Sequence, residues 1–390
     1  MKIAHIADPH LGVRQYHRQT SGGINQREAD VARAFRLAID GVIAARPDAV
    51  LVAGDLFHAV RPTNAAIIFA FRQFQRLRDA LPAVPIVLIA GNHDTPRSAE
   101  TGSILRLFDD LNIDVATDEP RRLSFPALGL SVLAVPHAAL IGERPELRPE
   151  GDEPYQVLML HGEVEGVFPG DRTSVEYGGA VVAPGELTRG GWSYVALGHY
   201  HVQHQVAPRI WYAGALDYVS PNIWGELLDE AAHGLHGKAW LLADLDAGTV
   251  ERHAVQATRR VLDLEPIPGE GRSTAELDAL IAERLREVPG GIADQIVRLR
   301  VLDVPRHVAR ELDHTALRAY RAEALHLNVD IRRPVVNRLV GVGGPGRRQT
   351  LPEMVREFLE RRPLPAQIDR ATFVRAGVEL IDTVERDLAG

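Results

Sequence analysis

Short apolar runs alternate with longer segments in which apolar residues recur every three or four positions. Five such segments open the chain: predicted strands at residues 3–7, 49–53 and 85–90, and predicted helices at residues 27–45 and 64–80. In the second helix, Ile67, Phe71, Phe74 and Leu77 form one apolar stripe, which is typical of a helix packed on a core. This alternation predicts a sheet covered by helices.

Between residues 130 and 254 the pattern changes to many predicted strands with few helices between them. The apolar, β-branched runs lie at residues 130–135, 156–160, 193–197, 210–213, 239–244 and 249–254. This arrangement fits two packed sheets better than one parallel sheet with a helix after every strand. We therefore predict an α/β fold in which a mixed two-sheet sandwich is flanked by helices.

Beyond residue 260 the chain is organised differently. Residues 264–273 contain two prolines and two glycines, a composition typical of a linker. The helical and strand patterns that follow, at residues 274–288, 296–302, 314–324 and 328–332, predict a small α/β domain. A Gly- and Arg-rich break at residues 341–350 precedes two amphipathic helices. We predict three domains, at residues 1–260, 261–340 and 350–390.

Composition narrows the class of protein. The chain of 390 residues is 45% hydrophobic and 25% charged, as is ordinary for a folded globular protein. It has no cysteine, which excludes disulfides and thiolate metal sites, but it has 16 histidines. The N-terminal apolar stretch is too short for a signal peptide, and no run approaches the roughly 18 apolar residues of a membrane span. We expect a cytoplasmic protein without a membrane partner.

The net charge of −8 at first argues against nucleic-acid binding, because neutralising phosphates requires lysine and arginine. Residues 331–350 are an exception, because they hold five arginines and no acid: Arg332, Arg333, Arg338, Arg347 and Arg348. This segment is either a solvated part of the surface or a patch that contacts phosphates. On the second interpretation, Arg332, Arg333 and Arg338 are the candidate contacts to nucleic acid.

Five predicted strands are each followed at once by side chains that can bind a metal ion. These side chains are Asp8 and His10, Asp55, Asn92, His161, and His199 and His201. The carboxyl ends of strands in an α/β sheet meet at one crevice, so we expect the five clusters to converge. The sequence therefore predicts a site for two divalent ions, which is suited to in-line displacement at phosphorus.

Such a site needs one carboxylate that bridges both ions, and Asp55 is the candidate because it follows an apolar strand and a glycine. We assign Asp8, His10, Asp55 and His201 to the first ion, and Asp55, Asn92, His161 and His199 to the second. Mixed carboxylate, amide and imidazole ligands favour manganese, with iron, zinc and magnesium as alternatives. Taken singly, each cluster also fits a structural or surface role, whereas all five in this order argue for a metal site.

With these motifs the sequence resembles the calcineurin-like metallophosphoesterase superfamily, in which the five blocks supply a dinuclear site. The blocks at residues 8–12, 25–28 and 54–58 are similar to those of the SbcD family of double-strand-break repair nucleases. Similarity continues through residues 212–216 and the small domain, and so covers most of the chain. The resemblance implies a calcineurin-like two-sheet αββα sandwich with a smaller α/β capping domain and C-terminal helices.

The resemblance also implies a function. Family members are manganese-dependent nucleases that cut DNA ends, as 3′–5′ exonucleases and endonucleases, in double-strand-break repair. They work with a coiled-coil ABC ATPase, SbcC in bacteria, and as homodimers. The resemblance further implies that His93 is catalytic, because an imidazole near the scissile phosphate can stabilise developing charge or protonate the leaving 3′-oxygen.

His58 separates this family from the phosphoprotein phosphatases of the superfamily, which carry an acid three positions after the bridging aspartate. Histidine at this position disfavours a phosphatase, and His58 becomes a candidate for positioning a DNA strand end. The alternative is a surface histidine after a turn. Two other functions stay open: a metallophosphoesterase acting on nucleotides, cyclic nucleotides or RNA, and a non-catalytic scaffold that binds DNA ends. The complete ligand set disfavours the scaffold.

The two C-terminal helices each carry an apolar stripe. The first stripe is Leu351, Met354, Val355, Phe358 and Leu359, and the second is Phe373, Val378, Ile381, Val384 and Leu388. Two short helices can hardly bury both stripes on each other. We therefore expect them either to dock in a groove of the ATPase or to complete the core of this chain.

Overall fold

A computed structural model describes residues 1–96, 102–142, 144–167, 180–334, 350–362, 364 and 368–389. The chain divides into two compact units. Unit one contains residues 1–267, 278–300 and 313–330, and unit two contains residues 268–277, 301–312 and 331–390. All seven proposed metal ligands lie in unit one.

Helices and strands alternate at first and strands dominate later, as the apolar pattern predicts. The strands are β1 (Lys2–Ile6), β2 (Ala49–Ala53), β3 (Ile86–Ile89), β4 (Asp114–Ala116), β5 (Arg121–Phe125), β6 (Leu130–Val135), β7 (Tyr155–His161), β8 (Glu163–Val164), β9 (Val181–Val182), β10 (Tyr194–Gly198), β11 (His204–Ala207), β12 (Ile210–Tyr212), β13 (Ala239–Asp244), β14 (Thr249–Ala254), β15 (Val261–Pro268), β16 (Ile296–Leu302) and β17 (His326–Ile331). The helices are α1 (Gln26–Ala45), α2 (Asn64–Ala80), α3 (His137–Ile141), α4 (Pro184–Thr188), α5 (Ile223–Ala232), α6 (Thr274–Arg286), α7 (Arg306–Glu311), α8 (His314–Glu323), α9 (Leu351–Arg361) and α10 (Arg370–Ala389), and short 3-10 helices cover Ile104–Leu111 and Pro126–Leu128.

Two six-stranded mixed sheets form the body of unit one. The first has the order β14-β13-β1-β2-β3-β4, and the second has the order β11-β12-β10-β7-β6-β5. Strands β1 to β4 run parallel, with β13 antiparallel to β1. In the second sheet, β6, β7, β10 and β12 run parallel and the two edge strands run antiparallel. This mixture confirms the predicted two-sheet α/β fold.

Three apolar layers hold the sandwich together. Residues from both sheets, among them Leu51, Ile89, Val157 and Met159, pack between the sheets. Helices α1 and α2 cover the outer face of the first sheet, where Phe35 and Phe74 are fully buried. Residues of α3 and α4 pack on the outer face of the second sheet. The order is therefore helices, sheet, sheet, helices, and burying these faces is the main stabilising contribution.

Local sequence signals explain where the first helices begin and end. The side chain of Asn25 accepts hydrogen bonds from the backbone N–H groups of Arg27 and Glu28, and the Thr63 hydroxyl accepts one from Ala66. These side chains satisfy donors that the first turn of a helix leaves unpaired. Helix α1 ends at Ala45, and the residue that caps it, Arg46, has a left-handed φ of 47°.

The prediction of a linker at residues 264–273 is wrong for residues 264–268, which belong to a strand. Strand β15 continues through Pro268, and it lies at the edge of a three-stranded sheet with the order β15-β16-β17. An edge strand tolerates proline, because one side of it has no ladder partner that needs an N–H group. A prediction from proline and glycine content alone therefore placed the start of the linker too early.

Within unit one, residues 278–300 and 313–330 make polar and aromatic contacts with the sandwich. Arg259 links α1 to residue 294, because its Nε donates to Asp30 Oδ2 at 2.6 Å and its Nη1 donates to the Asp294 carbonyl at 2.7 Å. The rings of Tyr16 and His326 stack with centroids 4.1 Å apart. Arg18 forms an ion pair with Asp294. These contacts join the loop after β1 and the start of α1 to the small sheet. The proposed domain boundaries at residues 260 and 340 stay a prediction.

Candidate metal centre

The site lies where parallel strands of both sheets end, and glycines let the chain come close there. A Cβ atom on Gly91 would overlap the Asp55 carboxylate, and one on Gly54 or Gly198 would overlap the His161 ring or the backbone of Ala53. Only glycine therefore permits these approaches. The strand ends consequently bring acidic and imidazole groups within contact of one another.

Four of the candidate ligands have positive φ angles that residues with side chains rarely adopt. His199 has a φ of 102°, and Asp8, His10 and Asp55 have φ angles of 51°, 47° and 49°. Hydrogen bonds between the first two strand ends hold them: Asp8 N–H donates to the Gly54 carbonyl at 3.1 Å, and His10 N–H donates to that of Asp55 at 2.9 Å. Such backbone strain persists where the surrounding structure enforces it, often at functional sites.

One group of potential ligands contains Asp8, His10 and His201, all buried. The Nε2 atoms of His10 and His201 lie 3.0 Å apart. The carboxylate of Asp8 accepts the backbone N–H of His199 at 3.0 and 3.1 Å, which ties the strand end of β1 to that of β10. These are the side chains assigned from the sequence to the first ion, together with Asp55.

The other group contains Asp55, His161 and His199, with Asn92 beside them. Nε2 of His161 lies 3.3 Å from Oδ2 of Asp55. Oδ1 of Asn92 lies 2.9 Å from that nitrogen and 3.0 Å from Nδ1 of His199. The structure thus brings together all seven of the side chains that the sequence picks out as ligands.

The donor set fits a pair of cations. Oδ2 of Asp55 is buried without a hydrogen-bond partner, and it lies 3.3 Å from His161 Nε2 and 3.6 Å from His10 Nε2, between the two groups. A buried carboxylate oxygen without a donor is unfavourable unless a cation compensates it. Neutral imidazole nitrogens that face each other likewise need a shared proton or a cation. Carboxylate, amide and imidazole donors suit manganese, iron and zinc.

Electrostatics in the metal-free site are dominated by Asp55 and His161. Burial opposes the charged form of both groups, but their mutual attraction prevails: it raises the pKa of His161 to about 9 and holds the pKa of Asp55 well below its ordinary value. Burial raises the pKa of Asp8, against the attraction of His161 and His201. The carboxylates around His161 therefore favour positive charge at this position, which a proton supplies in the metal-free site.

Hydrogen bonds orient two of the histidine rings. Nδ1 of His161 donates to the Ala53 carbonyl at 2.9 Å, and Nδ1 of His201 donates to Oε1 of Glu226 at 3.1 Å. Each bond directs Nε2 towards the cluster. Sequence analysis missed Glu226 because it predicted no helix for residues 223–232, although Asn222 followed by Ile223, Trp224 and Leu227 is a capped apolar pattern.

His93 and His58 both lie beside the first group. The backbone N–H of His93 donates to Oδ1 of Asp55 at 2.8 Å, and its Nδ1 donates to the His58 carbonyl at 2.8 Å. The His58 and His93 rings stack with centroids 5.1 Å apart, and Nδ1 of His58 lies 3.2 Å from Nδ1 of His10. His58 is therefore part of the cluster rather than a remote surface residue.

Two further buried groups were not singled out from the sequence. Asp94 accepts the backbone N–H groups of Leu56, Phe57 and Gly91, and burial, followed by repulsion from Asp55, raises its pKa to about 7. It ties the loop after β2 to the loop after β3. His137, whose pKa burial lowers to about 4, lies at the start of α3. Asp94 is the last residue of the motif Gly-Asn-His-Asp at residues 91–94, and this motif could have identified it from the sequence.

A cleft opens beside these residues. Its volume is about 540 Å³, and its lining includes Asn92, His93 and His137 together with the apolar side chains of Val60, Pro96 and Ile141. An open, half-apolar cleft next to the ligands gives a substrate access to the cluster from the His93 side.

The predicted contacts to nucleic acid lie in unit two. Arg332 and Arg333 follow β17 and are exposed, and Arg338 lies outside the described residues. In the same unit, α9 and α10 leave Leu351, Phe358 and Val384 exposed while Val378 is buried. Across the described ranges, none of the helices has both the length and the hydropathy needed to cross a bilayer.

Comparison with known proteins adds independent evidence. Residues 1–203 match the family described as calcineurin-like phosphoesterase. The chain is 31% identical over 211 residues to the DNA double-strand break repair protein Mre11 of Sulfurisphaera tokodaii, a match covering 52% of this chain and 49% of that protein.

Two further relatives carry the same name. The protein from Saccharolobus solfataricus is 30% identical over 212 residues, covering 52% of this chain and 50% of its own length. The protein from Aeropyrum pernix is 29% identical over 276 residues, covering 66% and 61%. The chain thus spans about half of the length of the first two relatives. The family match at residues 1–203 includes all of the strand ends that carry the cluster.

Proposed function

The chain belongs to the calcineurin-like phosphoesterase family, and we propose that it is a manganese-dependent nuclease that hydrolyses phosphodiester bonds at DNA ends. The observation that carries the proposal is the convergence of seven potential ligands around the unpaired Oδ2 of Asp55, with His93 bonded to the same carboxylate. Similarity to proteins named for double-strand-break repair supports DNA as the substrate.

Under this proposal, Asp8, His10, Asp55 and His201 hold one ion, and Asp55, Asn92, His161 and His199 hold the other. Two divalent ions, when bound, supply Lewis acidity and charge neutralisation at a phosphodiester. Asp55 would contribute to both positions, since its Oδ2 lies 3.6 Å from His10 Nε2 and 3.3 Å from His161 Nε2. His161 would have to give up its proton to act as a ligand.

His93 is the catalytic side chain of the proposal. Because its Nδ1 proton is engaged by the His58 carbonyl, Nε2 is the nitrogen that can exchange a proton with substrate. A proton held there stabilises charge on the phosphate or passes to the leaving 3′-oxygen. The backbone bond from His93 to Asp55 fixes the distance between this group and the cluster. His58, stacked on His93, positions the strand end.

The proposal includes the wider activity of the family: 3′–5′ exonuclease and endonuclease action on DNA ends in break repair, homodimerisation, and a cytoplasmic location. Arg332, Arg333 and Arg338 of the domain at residues 261–340 contact the DNA backbone. The segment at residues 350–390 binds a coiled-coil ABC ATPase of the SbcC type. Exposed Leu351, Phe358 and Val384 support this, because apolar side chains left in water favour a partner's groove.

The direct test is digestion of a linear DNA duplex in manganese by the full chain and by His93→Ala, beside a small generic phosphodiester, an RNA and a cyclic nucleotide. We expect the chain to degrade the duplex and the substitution to slow this by at least about a hundredfold. Equal rates for both proteins would remove His93 from the mechanism. Preference for RNA or the cyclic nucleotide would replace DNA as the substrate, and binding of ends without any cleavage would favour a scaffold.

A further inference from the structure

Helix α5 places a carboxylate directly behind one histidine of the metal centre. Glu226 is fully buried, and its Oε1 accepts the Nδ1 proton of His201 at 3.1 Å. On the other edge of the same ring, Nε2 lies 3.0 Å from Nε2 of His10. One carboxylate therefore decides which nitrogen of His201 carries the proton and which faces the cluster.

A lysine and a second carboxylate surround Glu226. Nζ of Lys238 lies 2.8 Å from Oε1 of Glu230 and 3.5 Å from Oε2 of Glu226, and it donates to the backbone carbonyl of His201 at 3.0 Å. The hydroxyl of Tyr218 donates to Glu230 at 2.7 Å. Lys238 thus lies between two buried carboxylates beside His201.

Glu226, Glu230 and Lys238 are all buried, and their contacts join them to one another and to His201. Removing one member therefore leaves the others buried without compensation.

The histidines of the second group have different surroundings. Nδ1 of His161 donates to the carbonyl of Ala53 at 2.9 Å, with Oδ1 of Asp8 3.8 Å away, and Nε2 of His199 lies 3.7 Å from Oε1 of Glu163. A carboxylate that is hydrogen-bonded to the far nitrogen of a ligating imidazole makes the ligating nitrogen more basic, and such partners are worth about 10- to 100-fold in metal affinity. Glu226 stands in this relation to His201.

We propose that Glu226 is a positioning residue that holds His201 in its ligating form and strengthens ion binding at the position of Asp8, His10 and His201. The inference rests on the proposed function only in taking two bound ions as given, and it holds for any substrate. Glu226 acts through His201 and touches neither ion nor substrate. Nζ of Lys238 lies 3.5 Å from Oε2 of Glu226 and donates to the His201 backbone carbonyl.

The test titrates manganese into the metal-free full chain and counts free Mn²⁺ by electron paramagnetic resonance, without any DNA. We expect the wild type to bind two Mn²⁺ ions. Glu226→Gln should weaken the binding of one ion about 10- to 100-fold and leave that of the other unchanged. Glu226→Asp, which keeps a carboxylate, should recover part of the loss. The control is Glu28→Gln, a buried helical glutamate hydrogen-bonded to Arg14 and Thr63, which should leave the binding of both ions unchanged.

Two results would overturn the inference: unchanged manganese affinities in Glu226→Gln, or equal weakening in the Glu28→Gln control. If Glu226→Gln does not fold, nitrogen NMR of the wild type decides instead, because the His201 ring must carry its proton on Nδ1. A proton on Nε2 would overturn the inference. Failure to cleave DNA, with two manganese ions bound and one of them weakened by Glu226→Gln, would remove the proposed function and leave this inference standing.

Discussion

Oδ2 of Asp55 lies 3.3 Å from Nε2 of His161 although 106 positions separate the two residues (161 − 55). Both are fully buried, and that oxygen has no hydrogen-bond partner. The contact joins the carboxyl end of β2 in one sheet to that of β7 in the other. A proton on His161 and a metal ion therefore compete for the same position beside Asp55.

Manganese binding should release a proton from His161. Burial lowers the pKa of His161, but the charge and hydrogen bond of Asp55, together with Asp8 and the Ala53 carbonyl, raise it to about 9, so the protonated form predominates at neutral pH and its proton must be displaced. We expect affinity to fall about tenfold for each pH unit below 9. Calorimetry at pH 7.5 in two buffers of different ionisation enthalpy measures the proton count. An affinity unchanged between pH 6.5 and 8.5 would contradict the expectation.

Gly91→Ala should disrupt the metal centre, whereas alanine at an uncrowded glycine such as Gly22 should not. A Cβ at Gly91 would overlap the Asp55 carboxylate and lie 2.5 Å from the Asp55 backbone nitrogen. We expect a stability loss of about 1–3 kcal/mol and loss of tight manganese binding. Gly22→Ala is the control, since its nearest neighbour is 3.8 Å away. Thermal unfolding and manganese titration check both proteins, and normal binding by Gly91→Ala would refute the packing argument.

His58→Asn should separate polymer cleavage from cleavage of a small phosphodiester. The His58 carbonyl that holds His93 is backbone and survives the substitution, whereas the imidazole stacked on His93 is lost. We expect DNA digestion to fall at least about tenfold and hydrolysis of the small diester to change less, because only the polymer needs a positioned strand. Steady-state rates on both substrates provide the measurement. Equal losses on both would make His58 a support for the cluster.

Arg27→Met should destabilise the fold without involving the metal site. Arg27 is buried and donates to both carboxylate oxygens of Asp217, at 3.0 and 3.3 Å. Leaving Asp217 buried without its partner should cost about 3–5 kcal/mol. Arg106→Met, whose partner Asp118 is exposed, should cost about 1 kcal/mol or less. Denaturant unfolding of the metal-free proteins compares them, and similar losses would show that the buried pair is not special.

Arg332→Ala with Arg333→Ala tests the proposed DNA contacts. Both side chains are exposed beyond β17. Each lost phosphate contact should reduce the slope of log affinity against log salt by about 1. DNA binding over a range of salt concentrations measures the slope, with Arg106→Ala as a surface control. An unchanged slope would indicate that Arg332 and Arg333 belong to a solvated surface and do not contact DNA.

Much of the architecture follows from local pattern. The strands at residues 239–244 and 249–254 and the helix at residues 64–80 have the bounds that apolar periodicity predicts. The linker prediction failed where β15 runs through two prolines, because a strand's place at a sheet edge is a property of the sheet and not of the segment. Helix α5 was missed, and with it Glu226.

The sequence by itself determined the two-sheet α/β class and the identity of the seven potential ligands, because strand ends and ligand side chains are local features. Only the tertiary structure decided which groups touch: Glu226 behind His201, Asp94 across two loops, and the unpaired oxygen of Asp55 between the two groups. Contacts of this kind join residues far apart in the chain. Their geometry depends on how two sheets pack, which no segment encodes alone.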